Sequence, residues 1–223
     1  MSATPAAALR DEICRIGASL HARGYAHATA GNISARTGTG YLITPTDACL
    51  GRLDPATLAE IDGDGVQVAG DRASKTLVLH RRIYDADPDA RCVIHTHATH
   101  CVALTLGGVP DPDDAVPPIT PYFVMKVGHV PLIPYHLPGD AAVGDAVARH
   151  IAMRREAGAP IRAVLLDRLG PIAWHATPAE ASAVLEELEE TARLWMMLPP
   201  ALRPMPLDAA RIDALRVRFG ARW

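Results

Sequence analysis

The sequence predicts an α/β protein with three layers (α/β/α), in which helices cover both faces of a central sheet that is mixed and mainly antiparallel. Helical and strand patterns interleave along the 223 residues, and several predicted strands are joined by short hairpins rather than by crossover helices. The fingerprint G-x-G-x-x-G of dinucleotide-binding folds follows none of these strands. Because no repeat or interdomain linker interrupts the pattern, residues 1–223 are expected to form a single domain.

Composition restricts the classes of function. The chain has 49% hydrophobic and 21% charged residues with a net charge of −3, which is typical of a globular protein. It contains no basic block, so a nucleic-acid partner is not expected. No apolar run is long enough to cross a bilayer and no signal peptide is recognisable, so we expect no membrane partner and a cytoplasmic location. The four cysteines lack C-x-x-C spacing and are expected to be reduced.

The first half of the chain predicts helices that alternate with short strands. Apolar residues at three- and four-residue spacing predict an amphipathic helix from about Thr4 to Arg23. The small residues of the segment 28–34 indicate an ordinary turn, or a place where the backbone passes close to another group. The further elements expected are a strand at 41–43, a short helix that begins at Asp54–Pro55, a hairpin turn at 62–65, a strand at 66–68, and a helix from Leu77 to about Asp85 that Ser74 caps.

The second half contains a long loop and a strong helix start. The loop 107–118 is rich in proline and aspartate and is expected to serve function or an interface. Thr177, Pro178 and Glu180 combine a capping threonine, a proline at the first helical position and a glutamate three residues after the cap. The elements expected are a strand at 130–133, a helix from Gly139–Asp140 to about Arg155, strands at 164–166 and 171–174 joined around Leu169–Gly170, a helix from Thr177 to about Met197, and a basic helix from about Asp208 to Phe219.

The pair His95 and His97 is the main candidate for chemistry. The β-branched residues Val93 and Ile94 before it predict a buried strand, and alternate side chains of a strand share a face. Both imidazoles would then point the same way, close enough to hold one metal ion, which needs three or four ligands. The alternative is that the two histidines are hydrogen-bonded at a strand end.

A second candidate is an anion site at the start of the helix that follows Ser74. Backbone N–H groups at a helix N-terminus suit a negatively charged group, and Lys75 would add a positive charge. The alternative is simple capping beside a solvated lysine.

In order and spacing, the motifs together resemble the class II aldolase/adducin superfamily. The resemblance extends from about Arg10 to Phe219, and residues 51–55, 118–128 and 186–192 are similar to its decarboxylases. It implies a class II aldolase-like fold and a lyase that acts on a small phosphorylated sugar or sugar acid. The reaction would be decarboxylation of a 3-oxo-tetronate 4-phosphate, or retro-aldol cleavage, through a metal-stabilised enediolate. The motifs that carry the resemblance are residues 29–34, 43–46, 74–80 and 95–97.

The resemblance also implies roles for individual residues. A divalent metal, usually zinc, would be bound by His95 and His97, and Tyr122 would handle a proton, often from a neighbouring subunit. Relatives share His100, but not as a ligand. Members are often homotetramers with active sites between subunits, so a homotetramer is expected. The phosphate cradle would consist of Gly31, Asn32, Thr46, Ser74 and Lys75.

Two residues depart from the superfamily pattern. Thr76 stands where an acidic ligand or base is expected, and threonine cannot act as that base. Leu169 stands where a third histidine ligand is expected, directly before Gly170. Three interpretations stay open. Asp167 or His129 replaces the lost ligand; the chemistry needs little or no metal and uses Lys126 as an electrophile; or the chain is a non-catalytic binding subunit.

Overall fold

The structure, a computed structural model, describes residues 5–223. Its strands are β1 (Asn32–Arg36), β2 (Gly40–Ile43), β3 (Ala59–Asp62), β4 (Gln67–Ala69), β5 (Cys92–His95), β6 (Leu132–Ile133), β7 (Ala163–Leu166) and β8 (Gly170–His175). Its α-helices are α1 (Pro5–Ala22), α2 (Leu77–Ala86), α3 (Thr99–Leu106), α4 (Pro121–Lys126), α5 (Ala141–Glu156), α6 (Pro178–Met197) and α7 (Ala209–Phe219). Short 3₁₀ turns lie at Leu50–Arg52, Pro55–Thr57 and Pro200–Leu202. The predicted start of the first helix at Thr4 lies outside the described residues.

One eight-stranded sheet joins all of these strands in the order β4-β3-β2-β1-β5-β8-β7-β6. The pair β6–β7 is parallel, and the other neighbouring pairs are antiparallel. This arrangement confirms the predicted mixed, mainly antiparallel sheet. The central strand β1 was not predicted, because its residues were interpreted as part of a turn.

Helices cover both faces of the sheet, as predicted. Side chains alternate along β5, β7 and β8, so that neighbouring residues enter different cores. One core packs these strands against α1, α3, α4 and α6, and the other packs them against α2 and α5. From β5 and β8, the first core receives Cys92, Ile94 and Ala173, and the second receives Val93, Ile172 and Trp174.

Helix caps agree with the sequence at three helices and differ at α2. The side chains of Asp140, Thr177 and Asp208 each accept a backbone N–H in the first turn of the following helix. At α2 the residue before the helix is Thr76, which makes no side-chain cap bond. The prediction that Ser74 caps this helix is wrong, because its Oγ lies two residues too early and accepts the N–H of Thr76 at 3.4 Å.

The helix α4 and the site of the paired histidines also differ from expectation. Residues 121–126 form a helix that was not predicted, and its cap is Thr120, which accepts the N–H of Phe123 at 3.1 Å. Strand β5 ends at His95, so His97 follows the strand rather than continuing it. Over residues 5–223, no helix is both long and apolar enough to span a membrane.

Candidate functional site

The candidate site is a cleft of about 200 Å³ where the start of β1 and the end of β5 meet the start of α2 and the segment before α5. Its wall is mainly apolar, with a few polar groups set into it, as is common for small-molecule sites. The apolar part consists of Val78, Leu79, Leu137, Pro138, Ala141, Val143, Leu166 and Leu169. The polar part consists of Asn32, Lys75, Thr76, His80, Arg82, His95, His97 and Asp140.

Strand register brings Asn32 beside His95. The two residues are paired across the antiparallel ladder between β1 and β5. Gly31, immediately before, has φ +94°, and a Cβ at this position would lie 2.8 Å from the carbonyl oxygen of His95. Glycine is therefore required for the chain to enter β1 so close to β5. The small residues of the segment 28–34 thus allow the backbone to pass close to β5, the strand that ends with His95.

The two histidine rings lie side by side in the cleft, with centroids 5.1 Å apart. His95 is buried, and its Nδ1 lies 2.9 Å from the carbonyl oxygen of Pro171 on β8. Because a carbonyl oxygen accepts, Nδ1 carries the proton and Nε2 keeps its lone pair. The ring of His27 also lies near His97, at a centroid distance of 6.3 Å.

Burial keeps these imidazoles neutral. It lowers the pKa of His95 to about 4, with a further contribution from the neighbouring His97. It also lowers the pKa of His97, with a smaller contribution from His27. At neutral pH the cleft therefore presents uncharged imidazoles, which can donate or accept hydrogen bonds or bind a metal, but do not act as cations.

His80 is a cleft residue that sequence reasoning missed. It is fully buried on α2, and its Nδ1 lies 2.7 Å from Ser34 Oγ, which lies 2.8 Å from the hydroxyl of Tyr84. Its Nε2 is buried with no hydrogen-bond partner. Burial, and then the proximity of His95, lower the pKa of His80 to about 3. The available signal was its position four residues after Thr76, which places both residues on one face of a helix.

The buried histidines make acid destabilise the fold. Above pH 6.5 both the folded and the unfolded chain hold His80 and His95 neutral. As pH falls from 6.5 towards 4, the unfolded chain binds protons that the folded chain rejects, so we expect the free energy of unfolding to fall by about 1.4 kcal/mol per pH unit for each histidine. Denaturant titrations from pH 7 to pH 4.5 measure this slope. Ring NMR signals of both residues that titrate near pH 6.5 in the folded protein would contradict the expectation.

The candidate phosphate residues fall into two groups. Lys75 and Asn32 line the cleft, where the Oδ1 of Asn32 is buried without a partner. Thr46 and Ser74 lie close behind, and their hydroxyls are engaged with the protein itself. Thr46 donates to the carbonyl oxygen of Ala73 at 2.8 Å, and the Oγ of Ser74 lies 2.8 Å from the Oγ1 of Thr76.

Tyr122 and Lys126 lie outside this cleft within one chain. Both are on α4, which packs against α6 and α7, and both are exposed. The structure does not bring either residue to the histidines of the same chain. Their catalytic role stays a prediction. It requires that a second copy of the chain brings Tyr122 and Lys126 to this cleft.

The residues considered as replacement ligands are engaged elsewhere. The Nδ1 of His129 lies 2.7 Å from a carboxylate oxygen of Asp114, and neither His129 nor Asp167 lines the cleft. The Nδ1 of His100 lies 2.8 Å from the buried carboxylate of Glu189. That carboxylate also accepts the backbone N–H groups of residues 100 and 101, which gives His100 a structural role at the start of α3.

The donor set does not fit the zinc ion that the superfamily resemblance implies. Thr76 and Leu169 both line the cleft with His95 and His97, so the two departures fall on the wall of one site. In the part of the chain that the structure describes, no three histidine, cysteine, aspartate or glutamate side chains converge as an ion-binding group. Two imidazoles are fewer than the three or four protein ligands that zinc sites use.

Comparisons with known proteins show one matching family and several similar proteins. Residues 11–196 match the family described as the Class II Aldolase and Adducin N-terminal domain. The chain is 56% identical over 218 residues to 3-oxo-tetronate 4-phosphate decarboxylase of Cupriavidus necator, across 96% of this chain and 97% of that protein. The crystal structure of YgbL from Escherichia coli superposes with a TM-score of 0.87 at 38% identity, over 96% of this chain and 100% of that one. An L-fuculose 1-phosphate aldolase shares the fold, with a TM-score of 0.77 at 21% identity over 98% of each chain.

Proposed function

Because this chain belongs to the class II aldolase and adducin family, we propose that it is a lyase that decarboxylates a small phosphorylated 3-oxo sugar acid. The observation that carries this proposal is the 56% identity to a 3-oxo-tetronate 4-phosphate decarboxylase over nearly the whole of both chains. The cleft agrees with a substrate of that kind, since it is small and combines a cationic side chain with neutral imidazoles and an apolar wall.

Substrate binding is assigned to the start of α2. Lys75 is exposed, lines the cleft and meets the phosphate as a cation at the N-terminal end of α2. Asn32 offers its amide oxygen to a substrate hydroxyl, because its side chain lines the cleft and its Oδ1 has no hydrogen-bond partner. The hydroxyls of Thr46 and Ser74 shape the loops behind these groups. Gly31 contributes by letting the backbone approach β5.

The reaction needs an electron sink more than a base. In a 3-oxo acid the bond from the carboxylate carbon to the adjacent carbon breaks, and its electron pair passes to the oxygen of the ketone. Carbon dioxide leaves, and the enediolate that remains takes a proton on carbon. We assign His97, which is half-buried and neutral, to hydrogen-bond the ketone oxygen as negative charge develops there.

Leu169 gives the cleft an apolar surface where the superfamily pattern has a histidine. A carboxylate held against such a wall loses hydration, whereas carbon dioxide and a delocalised enediolate lose less by being there. The wall therefore favours the decarboxylation step. Retro-aldol cleavage, by contrast, must deprotonate a substrate hydroxyl, and Thr76 provides no base at its position.

The proposal also includes the roles of Tyr122 and Lys126, the oligomer and the cellular location. Tyr122 would protonate the enediolate and Lys126 would act as an electrophile, both from a neighbouring subunit of a homotetramer in the cytoplasm. A zinc ion bound by His95 and His97 would supply Lewis-acid stabilisation of the enediolate, but the donor set does not fit it, so the steps above involve only side chains.

A non-catalytic binding protein is the second candidate function. It is favoured by Thr76 and Leu169, which leave the wall of the same cleft without the acidic group and the imidazole that the superfamily pattern has there. Such a protein would keep the phosphate contact of Lys75 and would release no carbon dioxide.

One assay separates the candidates. Purified protein is given a 3-oxo-tetronate 4-phosphate, and carbon dioxide release is followed beside the spontaneous decay of the substrate; a ketose 1-phosphate is tested in parallel for aldol cleavage. We expect catalysed carbon dioxide release and no cleavage of the ketose phosphate. Binding of the phosphate ester by calorimetry without any turnover would instead support the binding protein, and the absence of both would reject each candidate.

A further inference from the structure

Two rings in the cleft are spaced as ligands of one ion would be. The centroids of His95 and His97 are 5.1 Å apart. Two imidazoles that share a tetrahedral zinc ion with Zn–N distances of about 2.0–2.1 Å would have centroids roughly 5 Å apart. The Nδ1–H of His95 is committed to Pro171, so the free lone pair is on Nε2, in the arrangement that metal-binding histidines usually have. The cleft thus contains two candidate ligands.

The rest of the wall offers no third ligand. Leu169 packs against the core that contains Trp174 and presents only carbon to the cleft. Thr76 is a neutral side chain whose hydroxyl is next to that of Ser74. Asp140 lines the cleft, but one of its carboxylate oxygens accepts the N–H of Ala142 at 2.9 Å and the other lies 3.2 Å from Nδ1 of His136. One oxygen therefore caps α5, and the other is paired with His136.

The unpaired Nε2 of His80 is a second sign that an acidic side chain is missing at position 76. The backbone N–H of His80 donates to the carbonyl oxygen of Thr76 at 3.1 Å, so the two side chains are one helical turn apart on one face of α2. A longer acidic side chain at position 76 would be an acceptor for the buried Nε2 of His80 as well as a ligand beside His95 and His97. The hydroxyl of Thr76 lies beside Ser74 Oγ instead, and the Nε2 of His80 has no hydrogen-bond partner among the described residues.

We propose that this cleft holds no resident divalent cation, and that the residues at positions 76 and 169 decide this. The proposal depends on the donor set alone and holds whether the chain is a decarboxylase or a binding protein. According to this proposal the protein works without a metal ion, although His95 and His97 are spaced as two ligands of one ion would be.

The test restores the missing ligands. The protein is incubated with zinc or manganese and dialysed, and bound metal is counted by mass spectrometry and by calorimetry. We expect far less than one ion per chain in the unsubstituted protein. The double variant Thr76→Glu/Leu169→His should bind close to one zinc ion per chain, at least about 100-fold more tightly. The matched control Thr76→Gln/Leu169→His has nearly the same size without the carboxylate and should bind more weakly than the glutamate variant.

Three results would overturn the proposal. The first is about one ion per unsubstituted chain that is lost on His95→Ala. The second is the same stoichiometry lost on His27→Ala, which would make that neighbouring ring the third ligand. The third is a folded double variant that binds no more metal than the parent. This result would show that positions 76 and 169 do not determine whether the cleft binds metal. If the double variant does not fold, Thr76→Glu alone is expected to show an intermediate gain, and its failure to bind would count as the third result.

Discussion

Trp174→Ala is expected to lower the free energy of unfolding by about 3–5 kcal/mol. Trp174 is fully buried on β8, in the core that packs the sheet against α2 and α5. Removing its ring leaves a cavity that the surrounding sheet cannot fill. The change also removes the hydrogen bond from the indole Nε1–H to a carboxylate oxygen of Asp87, which is 3.0 Å long. Denaturant unfolding followed by circular dichroism measures the loss.

A second variant separates the two contributions. Trp174→Phe keeps most of the apolar contact and removes the indole N–H, so it is expected to cost less than the alanine change. The remaining loss is about 1–3 kcal/mol, because the buried carboxylate of Asp87 loses one donor while Arg155 still lies 3.4 Å away. Equal losses in the two variants would show that the hydrogen bond, rather than the packing, dominates.

Lys75→Met is expected to have the largest effect on substrate binding, a loss of about 10- to 100-fold in kcat/KM or in the affinity for a phosphate ester. Methionine keeps the length and apolar surface of the side chain and removes only the positive charge. The loss should therefore fall mainly on KM and should weaken as salt concentration rises. Steady-state kinetics at two ionic strengths, or calorimetry with the phosphate ester, measures it.

The matched control for this charge is Arg72→Met. Arg72 is exposed in the same loop, three residues before Lys75, and it does not line the cleft. We expect its removal to change kcat/KM little. Equal effects of the two substitutions would mean that the phosphate is attracted by the general charge of the loop, and would remove Lys75 from the site.

Local patterns predicted most elements because helix periodicity and caps depend on neighbouring residues. Thr177 caps α6 through the N–H of Glu180 at 3.2 Å, as its motif predicts. The strand β1 was missed for the opposite reason. Asn32 and the residues after it form a strand because they pair with β2 on one side and with β5 on the other, and β5 is far away in the sequence.

The candidate site was predicted in part. His95 and His97 were expected to lie together, and the structure places their rings side by side although the strand ends between them. The sequence did not indicate that His80 lines the same cleft, because a lone histidine on a helix is usually a packing residue. Tyr122 was expected to handle a proton, often from a neighbouring subunit; within one chain α4 holds it outside the cleft, and its role stays a prediction.

By itself the sequence determined the chemistry available to this protein: a histidine pair, a lysine at a helix start, and no acid or histidine at positions 76 and 169. Only the tertiary structure decided that Thr76 and Leu169 face one cleft with the pair, and that Asn32 stands opposite His95. The physical reason is that residue types and local periodicity are properties of short segments. Register and the convergence of strand ends arise from pairing and packing between segments far apart in the chain.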